Sequence, residues 1–274
     1  MKNEIVYHIS FPKLNLNLEL SPDVISVGSI SIKWYGVILA AAFLCAFFYI
    51  FYKSKDFDIK KENVYDLTFA STIPAIIGAR LYYVAFFPGD FYLRHPEKIL
   101  AISEGGIAIY GAIIGGAVGA IMICLIKKLP ILKVLDLLSL GVVIGQAIGR
   151  WGNFVNQEAF GEYTDLPWGM MSENTSFQTV HPCFLYESLG CLAIFLILNF
   201  TSSKLKSTSG IIFLTYCTLY GALRFVIESL RMDSLIIPQT NIRVSQLLAL
   251  FICVISTSLI LIIKLRNSNQ KQHI

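Results

Sequence analysis

Apolar runs of membrane-spanning length alternate with short charged segments along almost the whole 274-residue chain. By the criterion of ~20 consecutive apolar residues, spans are predicted at about 31–52, 67–87, 106–126, 134–150, 184–200, 210–230 and 244–264. The fourth and fifth lie near the lower length limit, so each is expected to tilt little or to meet an irregular segment. Before the first span, Leu14, Leu16, Leu18 and Leu20 alternate with polar residues, the period of an amphipathic strand or extended arm. The predicted organisation is an N-terminal arm (1–30), spans one to four (31–150), a loop or small head (151–183), spans five to seven (184–266) and a tail (267–274). The fold class is an all-α polytopic membrane protein with about seven transmembrane helices.

Composition agrees: 55% hydrophobic residues, 15% charged and a mean hydropathy of +0.65 exclude an ordinary soluble domain. Basic residues then orient the bundle. Lys53, Lys55, Lys60 and Lys61 follow span one, Lys127, Lys128 and Lys133 span three, Lys204 and Lys206 span five, and Lys264, Arg266 and Lys271 span seven. Those loops are expected to be cytoplasmic. The segment from Trp151 to Cys183 has four acidic residues, Glu158, Glu162, Asp165 and Glu173, and no Lys or Arg, so it and the N-terminus are expected outside. The net charge of +4 reports this orientation and requires no nucleic-acid partner. No charged n-region with a short apolar core and cleavage site opens the chain, which argues against a removable signal peptide. The six cysteines show no C-x-x-C spacing, so neither a disulfide framework nor a metal site is expected, and no cofactor is implied.

Polar residues inside the spans carry the functional argument, because charge in a bilayer is costly. Glycines recur every fourth residue at Gly111, Gly115 and Gly119 and at Gly141, Gly145 and Gly149, a spacing that lets helices pack closely but specifies no chemistry. Tyr35, Arg80, Tyr110 and Arg150 are each placed near the outer end of a span by the lysine-derived topology. In span six Tyr220, Arg224 and Glu228 fall at i, i+4 and i+8 on one helix face, which must meet protein or water. Arginine forks bind phosphate bidentately, and the abundant phosphate in the outer half of a membrane is a lipid head group. The residues thus point to a site that draws an anionic lipid into the bundle.

The densest polar stretch is Gly149-Arg150-Trp151-Gly152-Asn153-Phe154-Val155-Asn156-Gln157-Glu158-Ala159-Phe160-Gly161. It resembles the signature of the bacterial prolipoprotein diacylglyceryl transferases. Further blocks similar to that family follow in its order: Trp34-Tyr35-Gly36, Gly78-Ala79-Arg80, Glu104-Gly105-Gly106, His181-Pro182 with Leu185-Tyr186-Glu187, and Tyr220-Gly221 through Arg224-Phe225 to Glu228. The resemblance implies a seven-helix inner-membrane enzyme moving diacylglyceryl from phosphatidylglycerol to the lipobox cysteine thiol of a preprolipoprotein, with release of glycerol phosphate. It assigns Arg150 and Arg224 to the phosphate, Asn153 and Glu158 to the head-group glycerol and local hydrogen bonding, and Tyr35, Tyr220 and Glu228 to positioning. Arg80 joins the same cluster, and Gly161 belongs to the lipid-binding signature.

Two positions depart from the family pattern. Tyr110 stands where many members have a histidine, and Ser245 where glycine is favoured. A phenol with a pKa near 10 is a poor base at neutral pH, so either Tyr110 is an activated phenolate or it donates a hydrogen bond while Glu158 or Glu228 removes the thiol proton. His181 is a second candidate base, but before Pro182 it is expected to have a capping or structural role at the start of span five, with Pro182 in its first turn. The alternative from another class is a transporter or flippase of an anionic lipid or metabolite. It predicts paired broken helices in two related halves, which the sequence does not display. An intramembrane hydrolase would be expected to carry G-x-S-x-G or H-E-x-x-H, and neither occurs.

Overall fold

A computed structural model describes residues 6–27, 30–101, 105–206, 208–234, 236–237, 240 and 242–272. Among them seven helices are long and apolar enough to cross a membrane: α1 (Trp34–Lys53), α2 (Lys61–Ala85), α4 (Ile109–Ile126), α5 (Ile131–Val155), α6 (Cys183–Leu205), α7 (Ile211–Leu230) and α8 (Val244–Gln272). A single helical turn, α3 (Phe91–Arg94), lies in the connector between α2 and α4. Glu104 of the Glu-Gly-Gly block lies outside the described residues.

Helix ends differ from the hydropathy reading in an informative way. The fourth span was expected to stop near 150 and the fifth near 200, yet α5 continues to Val155 and α6 to Leu205. Arg150 and Asn153 therefore sit on the last turns of a helix, not in a loop. A hydropathy window ends a span at the first charges, whereas the backbone stays helical as long as those charges find partners inside the protein. Likewise α8 runs through the expected tail to Gln272.

The chain divides into two compact units, Met1–Tyr49 with Asp136–Ile274, and Ile50–Leu135. In the larger unit the N-terminal arm forms β1 (Tyr7–Phe11) and β2 (Leu16–Leu20), and β5 (Met171–Ser172) from the α5–α6 segment joins the other edge of β1, giving antiparallel order β2-β1-β5. A second hairpin, β3 (Asp23–Val27) and β4 (Ile30–Lys33), leads directly into α1. Ile9, Phe11, Phe154, Val155, Met170, Val180 and Phe184 close a core that binds the arm to the end of α5 and the start of α6. The predicted arm is thus a structured part of a small head.

Elsewhere in this unit helices are joined by polar contacts of the kind that bilayers enforce. Asp136 on α5 is buried and accepts the Gly210 and Phe213 amides at 2.6 and 2.8 Å, so a side chain from one helix satisfies the orphan donors at the start of α7. Gly221 brings α7 against α8, where an added Cβ would lie 2.9 Å from the Ala249 carbonyl.

In the smaller unit the glycine ladder meets a proline helix. An added Cβ at Gly78, Gly111, Gly115 or Gly119 would strike backbone of the opposing helix, so α2 and α4 touch along their main chains. The second triplet is looser: Cβ atoms at Gly145 and Gly149 would find ordinary 3.7 Å contacts with α1.

Candidate active site

The candidate side chains of the larger unit gather around one residue to which the sequence reading gave no role. Glu187, on the second turn of α6, is 2% exposed. Its Oε1 accepts from Arg150 Nη2 at 2.6 Å and from the Tyr220 hydroxyl at 3.0 Å, while Oε2 accepts from Arg224 Nη1 at 2.9 Å. One carboxylate thereby aims two guanidinium forks and a phenol from α5 and α7. A buried charge is tolerable only when paired and hydrogen-bonded, and Glu187 meets that condition on both oxygens.

Arg224 also approaches Glu228 Oε2 at 2.5 Å through Nη2, an ion-pair contact one helical turn along α7 without hydrogen-bond alignment. The stripe expected on span six is real. Tyr220, Arg224 and Glu228 share a face, and Glu187 is what that face meets. Arg150 donates through Nη1 to Asn153 Oδ1 at 3.3 Å, and Asn153 Nδ2 donates to Glu158 Oε1 at 2.8 Å. A polar line thus runs from the buried Glu187 to the exposed Glu158. Each fork has five N–H groups; Arg150 contacts Glu187, Asn153 and the Tyr220 hydroxyl, and Arg224 contacts Glu187 and Glu228, so both keep donors beyond these contacts.

Tyr35 and Gly161 are positioned by packing. The Tyr35 ring lies flat on α5 at Gly152, where an added Cβ would come within 2.8 Å of it. Gly161 donates its amide to the His181 carbonyl at 2.9 Å, and a Cβ there would meet His181, Cys183 and the Leu230 carbonyl, each under 3.0 Å away. Only glycine lets the signature segment pass between the start of α6 and the end of α7.

Beyond the helix ends, Arg243 donates to the Glu228 carbonyl at 2.6 Å and to Glu162 at 3.0 Å. Arg231 grips Asp233 through Nε at 2.8 Å and Nη2 at 2.6 Å. Burial pushes the Asp233 carboxyl up, but the Arg231 fork outweighs it and holds the group below the ordinary carboxylate range. Glu162, Tyr163, Met232 and Arg243 line an open cavity of about 450 Å³ beside these pairs.

Arg80 and Tyr110 belong to the smaller unit. Arg80 is 2% exposed and donates to the carbonyls of Ile99, Gly105, Gly106 and Lys98 at 2.8, 2.5, 2.9 and 2.6 Å. Gly105 and Gly106 have φ of +84° and +71°, so the connector curls around the guanidinium in a conformation that glycine permits. Tyr110 opens α4 with its ring 6.3 Å from that of Tyr82. The His181 ring meets the Tyr186 hydroxyl at 3.2 Å, a structural contact, while Pro182 occupies the N-cap position of α6 and not its first turn. Among the described residues no cluster of three or more His, Cys, Asp or Glu is placed to hold a metal ion.

Glu187 was within reach of sequence reasoning, being a carboxylate in a predicted span, and such residues are functional by default. It stands in the Leu185-Tyr186-Glu187 block, but the block by itself does not say which partners the carboxylate meets.

Comparison with known proteins shows the family. Residues 22–262 match the family model described as prolipoprotein diacylglyceryl transferase. The chain is 41% identical over 229 residues to a phosphatidylglycerol--prolipoprotein diacylglyceryl transferase of Finegoldia magna, covering 84% of this chain and 90% of the relative. Proteins of the same description from Trichormus variabilis and Staphylococcus aureus are 39% and 37% identical, over 84% and 88% of both partners. With its arginine forks held on a buried carboxylate and its similarity to these relatives spanning most of its length, the chain belongs to the prolipoprotein diacylglyceryl transferase family.

Proposed function

We propose that this chain transfers the diacylglyceryl group of phosphatidylglycerol to the thiol of a lipobox cysteine in a preprolipoprotein, the first step of bacterial lipoprotein maturation. The carrying observation is the shared carboxylate: Glu187 aims Arg150 and Arg224 together and leaves each fork with free donors. In the reaction the cysteine sulfur attacks the glycerol carbon, the carbon–oxygen bond to phosphate breaks, and glycerol phosphate leaves with the electron pair. Negative charge grows on the leaving phosphate, and two aimed guanidinium groups lower the barrier, on the order of 3 kcal/mol per well-placed donor.

The thiol reacts as thiolate, with an ordinary pKa near 8.5, so its proton must go to a base. Of the two carboxylates proposed for this, Glu228 is buried against Arg224, whereas Glu158 is exposed and held by the Asn153 amide. Glu158 is the better proton acceptor, with Tyr110 donating a hydrogen bond. Asn153, Tyr35, Tyr220 and Gly161 shape the lipid-binding surface, and Arg80 orders the connector that precedes Tyr110.

The protein works in the bacterial cytoplasmic membrane, with the head outside and the lysine-rich loops in the cytoplasm. A cysteine introduced at the exposed Gln178 is then labelled by an impermeant reagent from outside, and one at the exposed Ser203 is not; the reverse pattern removes the outer-leaflet site. The deciding experiment is incubation of the purified protein with phosphatidylglycerol and a lipobox peptide. Thioether product by mass spectrometry supports the transferase. Lipid movement across vesicles with no product would favour the flippase.

A further inference from the structure

We infer that Glu187 and Glu228 set the charge of the phosphate site so that the spent head group is expelled, a role that rests on the transferase reading above. In this unit the forks of Arg150 and Arg224 contribute two positive charges, and Glu187 and Glu228 two negative ones, all within ion-pair distance. The flanking pairs Arg231–Asp233 and Arg243–Glu162 are each neutral. Before lipid enters, the four groups Arg150, Arg224, Glu187 and Glu228 are balanced, and Glu158, at the exposed end of the Asn153 line, adds one further negative charge.

Transfer changes the charge the cluster must hold. Phosphatidylglycerol brings a phosphodiester with one negative charge. Sulfur attack replaces the carbon–oxygen bond with a carbon–sulfur bond, the phosphate keeps the bonding electrons, and the thiol proton passes to the base and on to solvent. The departing monoester carries about −1.5 to −2 at pH 7. Two arginines alone would match that dianion better than the monoanion and would retain it, slowing each turnover. Two buried carboxylates reverse the preference, because a like charge at close range in a poorly solvated site costs more for each added negative charge. The forks still offer their N–H groups to a transition state in which charge is developing, but they do not form a trap for the product. Glu187 is suited to this because it touches both forks at once, and it is a positioning residue as well as a charge.

The test is glycerol phosphate as an added ligand of the full-length protein in phosphatidylglycerol-containing nanodiscs, read by direct titration and as product inhibition. Glu187→Gln keeps the size and one acceptor while removing the charge. Glycerol phosphate is expected to bind about tenfold more tightly, a change of about 1.4 kcal/mol, with a lower KM for phosphatidylglycerol, a lower kcat and a burst of thioether in the first turnover. Glu228→Gln, which frees only one fork contact, is expected to move binding in the same direction by less. A merely structural role for Glu187 gives the opposite pattern, with weaker glycerol phosphate binding and raised KM. Unchanged or weaker binding in Glu228→Gln, or in a folded Glu187→Gln, overturns the inference. Absence of thioether product from the wild-type protein would instead overturn the transferase reading, and the titration reports on the charge argument separately.

Discussion

Arg80 and the pair Arg150 and Arg224 are the same side chain in the same sequence setting, near one end of an apolar helix, yet their surroundings put them to opposite uses. Arg80 donates four hydrogen bonds to main-chain carbonyls of the α2–α4 connector and is flanked by the Tyr83 and Tyr92 rings, with centroids 5.9 and 5.4 Å from its guanidinium carbon. It is a structural hub. Arg150 and Arg224 are held by carboxylates, their side chains are 23% and 16% exposed, and each retains uncommitted donors. On the proposed reading, the partners of an intramembrane arginine distinguish a lipid-binding fork from a structural one. Carbonyls take four of the five N–H groups of Arg80, whereas the shared carboxylate orients the other two forks with more of their donors left over.

Lysine substitutions test the comparison most sharply. Arg150→Lys is expected to cost about 10²–10³ in thioether turnover with membrane insertion intact, because a point ammonium cannot reproduce a planar fork; near-normal turnover would remove Arg150 from the phosphate site. Arg80→Lys is expected to act mainly on stability. An ammonium has three donors for four carbonyls, and each buried acceptor left unmet costs about 1–3 kcal/mol, so the melting temperature in detergent should fall and the connector should become protease-sensitive. A normal melt with a selectively raised KM for phosphatidylglycerol would place Arg80 among the lipid ligands and erase the contrast.

Tyr110, a few residues beyond the loop that Arg80 organises, sharpens the comparison further. Tyr110→Phe is expected to lower turnover about tenfold, the value of one lost hydrogen bond at ~1.4 kcal/mol. A loss beyond about a thousandfold, with an alkaline limb vanishing from the pH–rate profile, would make it the base.

The smallest effect concerns the head that carries the signature. Burial raises the Glu173 carboxyl, but the His8 amide, bonded at 2.6 Å, and the Gln157 amide at 2.8 Å hold it below its ordinary range. A depressed carboxyl contributes stability that is fully present above its unfolded pKa of about 4.3 and is lost as pH falls through the folded value. The protection factors of the β1 amides, which are exchange rates corrected for their intrinsic pH dependence, are therefore expected to fall modestly as pH drops below about 4.3. Glu173→Gln should remove that pH dependence; an unchanged profile would separate the head from this contact.

The order and number of the spans, the strand in the Leu16–Leu20 arm, the shared face of Tyr220, Arg224 and Glu228, and the signature around Arg150 were all legible in the residues. Each follows from local periodicity or from a contiguous motif, and the cost of polar groups in lipid makes that periodicity strict. Where α5 and α6 end, the use of Arg80 and the role of Glu187 were decided only by tertiary structure. Each depends on a partner far along the chain: 37 residues separate Glu187 from both Arg150 and Arg224, and 18–26 separate Arg80 from its carbonyls. A sequence states that a charge lies in the membrane, but the free energy of that charge is set by which partner the fold brings to it, and no local pattern encodes that choice.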